Sequence, residues 1–333
     1  MLKKIAHARV AIAGAGISGA YLHRLLLLTG CDADLYDTQA GWPCGQSPCA
    51  WGTSEGFLEL AEAAGLDPEK YVLQRVDHLL MDEVHLEANL MTIHKPAFIK
   101  DLLRDKEILH DPLPTEKYDR IIDATGVSRA YLPKIPGDIV LACKQYRVVT
   151  DGRLENRIKL GNIGYAWCFP LANQGYHMGC GSFTGDPQNI MKELNWLRTN
   201  DPRGNGRILC GCEGAIRLTG PHLSRPFVGD GCPGGIWGVG EAIGCVAPLA
   251  GDGIVAGMRS VRILLGHWDD PEGYTRAILQ TFDWMKHERK VLDKLINRQH
   301  LGFNDARVLK KNSKRMGMKI GLRTAGLLME RLP

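Results

Sequence analysis

The first periodic segment is Arg9-Val10-Ala11-Ile12-Ala13, an apolar run of strand length that ends at Gly14-Ala15-Gly16-Ile17-Ser18-Gly19. Beyond it, Ile17, Ala20, Tyr21, Leu25 and Leu28 recur at helical spacing, and Gly30 stands where a helix would terminate. Ala33-Asp34-Leu35-Tyr36-Asp37 then alternates at period two. The opening therefore predicts a strand, a helix and a second strand, a βαβ unit. Residues 41–56 read as a cysteine-bearing loop, and Phe57–Gly65 as a helix. A strand over Val84–Ile93 leads to a Pro-started helix over Pro96–Arg104, and Asp119–Gly126 is a buried strand ending at glycine.

After Pro136 the texture changes to short alternating strands: Lys144–Val149, Arg157–Leu160, Tyr165–Leu171 and Tyr176–Phe183. These predict one antiparallel sheet, interrupted by a helix around Pro187–Thr199. A buried strand returns at Ile236–Gly240, a helix follows over Gly253–Leu265, and the chain beyond Thr281 reads as helical and polar on one side. The expected architecture is α/β. A discontinuous Rossmann-like domain (1–50, 94–135 and 226–283) surrounds an inserted antiparallel substrate domain (51–93 and 136–225), followed by a helical tail over 284–333.

Composition narrows the class. Hydrophobic residues at 44% and charged residues at 23% are ordinary for a globular chain and exclude disorder. The 39 glycines in 333 residues lack a triplet period, so they point to repeated close approaches of backbone rather than to a fibre. No apolar run is long enough to span a bilayer, and the start shows no signal-peptide pattern. Ten cysteines without C-x-x-C or zinc spacing read as mostly reduced thiols of a cytoplasmic protein with no metal site. Charge is uneven: Trp284–Pro333 carries 13 Lys/Arg against 4 Asp/Glu, while the remainder is net −5. That asymmetry suggests an anionic surface as partner for the tail, a membrane rather than nucleic acid.

Gly14-x-Gly16-x-x-Gly19 sits between first strand and first helix, where a dinucleotide fingerprint must sit. The helix N-terminus offers free N–H groups to a pyrophosphate. Asp37 ends the second strand, where an acid binds ribose hydroxyls.

Trp237-Gly238-Val239-Gly240-Glu241-Ala242-Ile243-Gly244, followed by Pro248-Leu249-Ala250-Gly251-Asp252-Gly253-Ile254, resembles the "G-D-A-x-G…P-x-x-G-x-G-I" signature of flavoproteins of the p-hydroxybenzoate hydroxylase fold. Asp123-Ala124-Thr125-Gly126 resembles the middle "D-A-T-G" of the same fold. The resemblance implies FAD as cofactor. It assigns Gly126, Glu241, Gly251, Asp252, Gly253 and Ile254 to the cofactor alongside Gly14, Gly16, Gly19 and Asp37. Glu241 departs from the usual Asp by one methylene. A helix N-terminus aimed at the flavin pyrimidine would stabilise reduced-flavin charge.

Gly164-Tyr165-Ala166-Trp167-Cys168-Phe169-Pro170 resembles the "Y-x-W-x-F-P" strand of the geranylgeranyl reductase family, and Pro43-Cys44-Gly45 resembles that family's "P-C-G" segment. So does Gly220-Pro221…Arg225-Pro226-Phe227-Val228-Gly229-Asp230-Gly231. The resemblance implies reduction of isoprenoid double bonds, with Tyr165, Trp167 and Phe169 lining a prenyl channel and Cys44 and Gly45 at the flavin edge. On the residues alone, the three aromatics read as one buried strand face, and Cys44 equally as a small buried residue or a catalyst. Cys49 is a candidate redox partner for Cys44, whereas Cys210 and Cys212 read as structural.

The chain is shorter than the family between Lys95 and Tyr118 and has no second nucleotide fingerprint. The electron donor, whether ferredoxin, NAD(P)H or another, is left open. Two other classes compete: an aromatic hydroxylase or halogenase of the same fold, and an electron-transfer flavoprotein. The second is disfavoured by the lack of clustered cysteines.

Overall fold

The computed structural model describes residues 9–38, 49–150, 155–161, 164–182, 192 and 206–331. The opening folds as β1 (Val10–Ala13), α1 (Ile17–Leu28) and β2 (Asp34–Tyr36), with the two strands parallel. β3 (Gly52–Ser54) and α2 (Gly56–Ala63) precede a long hairpin, β4 (Val72–Met81) and β5 (Val84–Ile93). Then come α3 (Lys95–Leu103), β6 (Ile108–Leu109) and β7 (Arg120–Asp123). A run of strands follows: β8 (Val140–Val149), β9 (Arg157–Gly161), β10 (Gly164–Pro170), β11 (Tyr176–Ser182) and β12 (Arg207–Arg217). β13 (Val228–Gly229), β14 (Ile236–Gly238), α4 (Ile254–Gly266) and α5 (Pro271–Thr281) return to α/β texture. The tail holds α6 (Asp283–Ile296), α7 (Phe303–Arg315), β15 (Met318–Lys319) and α8 (Leu322–Arg331).

The Rossmann-like sheet has the order β13-β14-β7-β1-β2-β6 and is parallel except for β13 against β14. Ile12, Ile121 and Ile122 at its centre are fully buried, as expected where helices cover both faces. α1 packs against both α3 and α4. β1, β7 and β14 run side by side in register, with Ala13 opposite Asp123 and Asp123 opposite Gly238. The loops leaving their carboxyl ends therefore emerge together, at the edge where such sheets bind ligands.

The second sheet has the order β12-β8-β11-β10-β9-β4-β5-β15, with β3 also on β5. It differs from the sequence reading in three ways. β4 pairs in parallel with β9, so the sheet is mixed. β4 and β12 are strands that the alternation did not reveal, because register shifts at Val72/Gln74, Val76/His78 and Ile208/Cys210 interrupt the period of two. The tail is not wholly helical: β15 adds to the sheet antiparallel to β5, placing Met318 opposite Ala88. The helix expected around Pro187–Thr199 lies outside the described residues, save Lys192. No helix among the described residues is long and apolar enough to cross a membrane.

Candidate cofactor and substrate site

The loops after β1, β7 and β14 border one continuous cavity of about 1040 Å³. Pockets for a single small ligand usually hold about 300–1,000 Å³, so this volume suits a large cofactor or a cofactor with a second molecule. Gly14, Gly16, Asp37, Gly126, Glu241, Gly251, Asp252, Gly253 and Ile254 all line it, as do Tyr165, Trp167 and Phe169. Gly19 lies behind this wall. Cys44 and Gly45 lie outside the described residues.

The three glycines of the fingerprint have separate causes. A Cβ on Gly14 (φ +106°) would sit 2.3 Å from the Ala124 carbonyl oxygen, and one on Gly19 would sit 1.8 Å from that of Gly14. Both are demanded by packing between helix and strands. A Cβ on Gly16 would meet no protein atom within 4 Å. Gly16 is thus the position that keeps space for a ligand. It is also the N-cap of α1, which has no acidic side chain in its first turn to compete for the open N–H groups.

Asp37 accepts a hydrogen bond from the Ala15 N–H at 2.8 Å, fixing the turn while its carboxylate borders the cavity. Asp123 shapes the neighbouring turn. It accepts from the Thr125 N–H and hydroxyl at 3.1 and 2.6 Å and from the N–H groups of Tyr131 and Leu132 at 2.9 and 3.1 Å.

Glu241 accepts from the Arg217 N–H at 2.6 Å. A Cβ on Gly126 would stand 3.3 Å from its other carboxylate oxygen. Burial raises the Glu241 carboxyl above its ordinary range, opposed by Arg217 and Lys95. The extra methylene of this glutamate is accommodated by Arg217, whose guanidinium also donates to the carbonyls of Gly126 and Glu241 at 3.1 Å each and of Val127 at 2.7 Å. Asp252 accepts from the Ile254 N–H at 3.0 Å at the start of α4, and burial pushes its carboxyl up to about 6.

The channel strand is tied to this loop: the Tyr165 hydroxyl donates to the Ala250 carbonyl at 3.1 Å. Trp167 lies next to Tyr165, ring centroids 5.8 Å apart, and its indole N–H donates to Gln145 Oε1 at 3.3 Å.

Four parts of the site were not foreseen. Lys95 is buried and lines the cavity, and its charge favours the ionised forms of both Glu241 and Asp252. A lysine in the first turn of α3 opposes the helix dipole, which was the available signal. Arg217 has no motif. Glu288 and Asn312 line the far part of the cavity, as do Leu309, Met316, Met318, Ile320 and Leu328 of the tail. The tail is therefore a wall of the site. In Leu309, Asn312 and Met316 a spacing of three and four places one face on the cavity.

No protein-family model matches the sequence. An uncharacterized protein of Methanocaldococcus jannaschii, MJ1182, is 23% identical over 86% of this chain and 90% of its own length. A geranylgeranyl bacteriochlorophyll reductase-like protein from Thermoplasma acidophilum superposes with a TM-score of 0.65 over 97% of this chain and 90% of its own, at 16% identity. PqsL, a probable FAD-dependent monooxygenase from Pseudomonas aeruginosa, gives 0.62 over 91% and 99%, at 15% identity. A tryptophan 6-halogenase from Streptomyces toxytricini gives 0.64 over 84% and 78%, at 12% identity. The chain has the fold of FAD-dependent oxidoreductases.

The residues present fit the cofactor of that flavoprotein fold. Gly16 leaves room at an uncapped helix N-terminus for a pyrophosphate. Asp37 and Glu241 offer carboxylates for hydroxyl groups, and the start of α4 borders the cavity between them and the channel strand. Reduced-flavin charge would face the N-terminal N–H groups of α4.

Proposed function

We propose that the protein is an FAD-dependent reductase of isoprenoid carbon–carbon double bonds in polyprenyl lipids. One observation carries this reading. Beyond the cofactor loops the cavity continues between the second sheet and the tail, walled by apolar side chains including Val76, Leu90, Ile158, Phe169, Met316 and Leu328. A long, featureless hydrocarbon is what such a wall retains.

When bound and reduced by an external donor, FAD would supply the hydride for one alkene carbon. The chain positions the alkene, excludes water and provides a proton route to the other carbon. Tyr165 and Trp167 brace the channel strand against the Ala250–Gly251 turn. Asp252, with its carboxyl raised to about 6, can hold a proton beside the cofactor loop. Cys44 is the second candidate donor, carried over from the resemblance to geranylgeranyl reductases. Electrons must come from an external donor.

The tail would bring the mouth of the cavity to a membrane. Lys310, Lys311, Lys314 and Arg323 are exposed there, together with the apolar Phe303, Leu322 and Leu327. Cations attracted to anionic lipid beside apolar side chains are the pattern of an interfacial helix.

A second reading is an aromatic hydroxylase or halogenase, favoured by the same fold in PqsL and in the tryptophan halogenase. The deciding experiment is anaerobic reduction of the purified, FAD-loaded protein followed by addition of a polyprenyl lipid, with mass analysis. Gain of two hydrogens per double bond supports the reductase. Oxygen or halide incorporation into an aromatic, seen only on admitting air, overturns it.

A further inference from the structure

Two cationic side chains border the cavity among the described residues, Arg298 and Lys95. Arg298 is exposed, just beyond the end of α6. Lys95 is 8% exposed, in the first turn of α3, and the reductase reading gives it no task. Its backbone is fixed from both sides. His94, immediately before it, accepts from the Ala97 N–H at 3.2 Å and stacks on Trp51, ring centroids 5.5 Å apart. Pro96, immediately after it, restricts its dihedral angles.

The Lys95 ammonium has neither a hydrogen bond nor an ion pair among the described residues, and its nitrogen is not closed off by protein atoms. Buried lysines are ordinarily paired, because taking an unpaired charge out of water is costly. Glu241 and Asp252, in the loops between β14 and α4, are near enough for the lysine's charge to oppose the effect of burial on their carboxyls, yet Lys95 pairs with neither. The cation is therefore held ready for a negative charge that the protein does not supply.

The cofactor carries two such charges. The pyrophosphate is permanent, and the open N–H groups of α1 at Gly16 are built for it. The other appears only on reduction: two electrons and one proton added to the flavin ring leave it with one negative charge. Asp252 stands at the start of α4, so its carboxylate works against the help that this helix N-terminus would give to that charge. A cation acting on the same region offsets the opposition.

We infer that Lys95 is the counter-charge for reduced flavin, favouring the reduced cofactor over the oxidised one and so setting the potential at which the protein delivers electrons. The inference rests on the flavoprotein fold and not on the identity of the lipid.

A potential measurement tests it without turnover. FAD-loaded full-length protein is titrated anaerobically with dithionite beside a reference dye at about pH 8, and affinity for oxidised FAD is measured in parallel. Lys95→Met should weaken the preference for reduced over oxidised cofactor about tenfold, which lowers the midpoint potential of a two-electron couple by about 30 mV. Lys95→Gln covers the case in which the methionine variant does not fold, and its potential should fall likewise. Lys95→Arg should keep most of the wild-type value. Asp252→Asn retains an acceptor for the Ile254 N–H, removes a negative charge and should shift the potential upward.

A neutral variant at the wild-type potential overturns the inference. If it also binds oxidised FAD more weakly, Lys95 holds a part of the cofactor whose charge does not change on reduction. A fall in potential for Asp252→Asn overturns it as well. No lipid enters the measurement, so the two readings fail separately. The expected shifts in a protein that never reduces a polyprenyl lipid defeat the reductase reading and keep the counter-charge. Lipid reduction by a neutral variant of unchanged potential does the reverse.

Discussion

Arg217 and Glu241 are joined twice: the Arg217 N–H donates to the Glu241 carboxylate at 2.6 Å, and its guanidinium donates to the Glu241 carbonyl at 3.1 Å. Since Arg217 ends β12 and Glu241 follows β14, this pair locks the two sheets together at the cofactor loops. Asp138 completes the network through Arg217 Nε at 2.9 Å.

Arg217→Met should be strongly destabilising, because it leaves the Asp138 carboxylate and three backbone carbonyls without their donor and removes the positive charge beside Glu241. Removing one partner of such a network costs about 3–5 kcal/mol. Arg217→Lys should recover only part of this, since an ammonium cannot span the fork. Thermal melts of the two variants, compared with FAD retention on gel filtration, check it. A methionine variant as stable as wild type would show that the network is incidental.

Gly16→Val and Gly14→Val should fail differently. The first should fold and lose FAD, because the added side chain fills only ligand space. The second should not fold, because its Cβ strikes the Ala124 carbonyl in a left-handed backbone (φ +106°). Circular dichroism beside the flavin absorbance separates the two, and full FAD loading of soluble Gly16→Val would remove the fingerprint from the site.

Cys44→Ser should retain FAD but slow alkene reduction with a saturating donor, if the thiol delivers a proton. Unchanged turnover would leave Asp252 as the proton holder.

Stability should depend on pH from two sides. The Glu288 carboxyl is raised from 4.5 to about 7, so the stability it contributes is complete below pH 4.5 and is lost as the pH rises through 7, by roughly 3 kcal/mol. Glu288→Gln does not titrate, so its melting temperature relative to wild type should climb between pH 5 and 8. His177, pressed against Trp51 with ring centroids 4.5 Å apart, is pulled by burial from 6.5 down to about 3. Its contribution is complete above pH 6.5 and is lost as the pH falls toward 3. His177→Phe should flatten the acid flank alone. Parallel melting curves for wild type and both variants would contradict these assignments.

Neutralisation of Lys310, Lys311 and Lys314 to Gln should weaken co-sedimentation with anionic vesicles by about 1 kcal/mol per residue at low salt. It should leave FAD binding untouched. Equal sedimentation with neutral and anionic vesicles would confine the tail to packing.

That the loop motifs would border one cavity was legible because their signals are local. Gly14 to Gly19, Asp123 to Gly126 and Gly251 to Ile254 are short runs whose backbone does the work, and each borders the cavity or packs directly behind it. Gly14 shows the limit, since its role in packing is visible only once Ala124 is beside it. The substrate side was half legible. Tyr165, Trp167 and Phe169 announced a buried face but not what it faces. Glu288, Asn312 and Met318 carried no motif, because they reach the site through tertiary contacts alone. β15 is two residues long and meets β5 some 230 positions away in the chain. A basic, amphipathic stretch looked like a surface element for the same reason: its apolar positions fit a helix lying on a membrane as well as a helix closing a cavity.

The tail's place in the cavity wall separates inheritance of cofactor from choice of ligand. The loops that would hold the cofactor lie before residue 131 and around 241–254, whereas much of the far wall comes from residues 288–328. Substitutions drifting through the last helices can therefore alter what the protein accepts while its redox centre stays intact. A lineage could exchange this one terminal stretch and acquire a new substrate without rebuilding the enzyme around it.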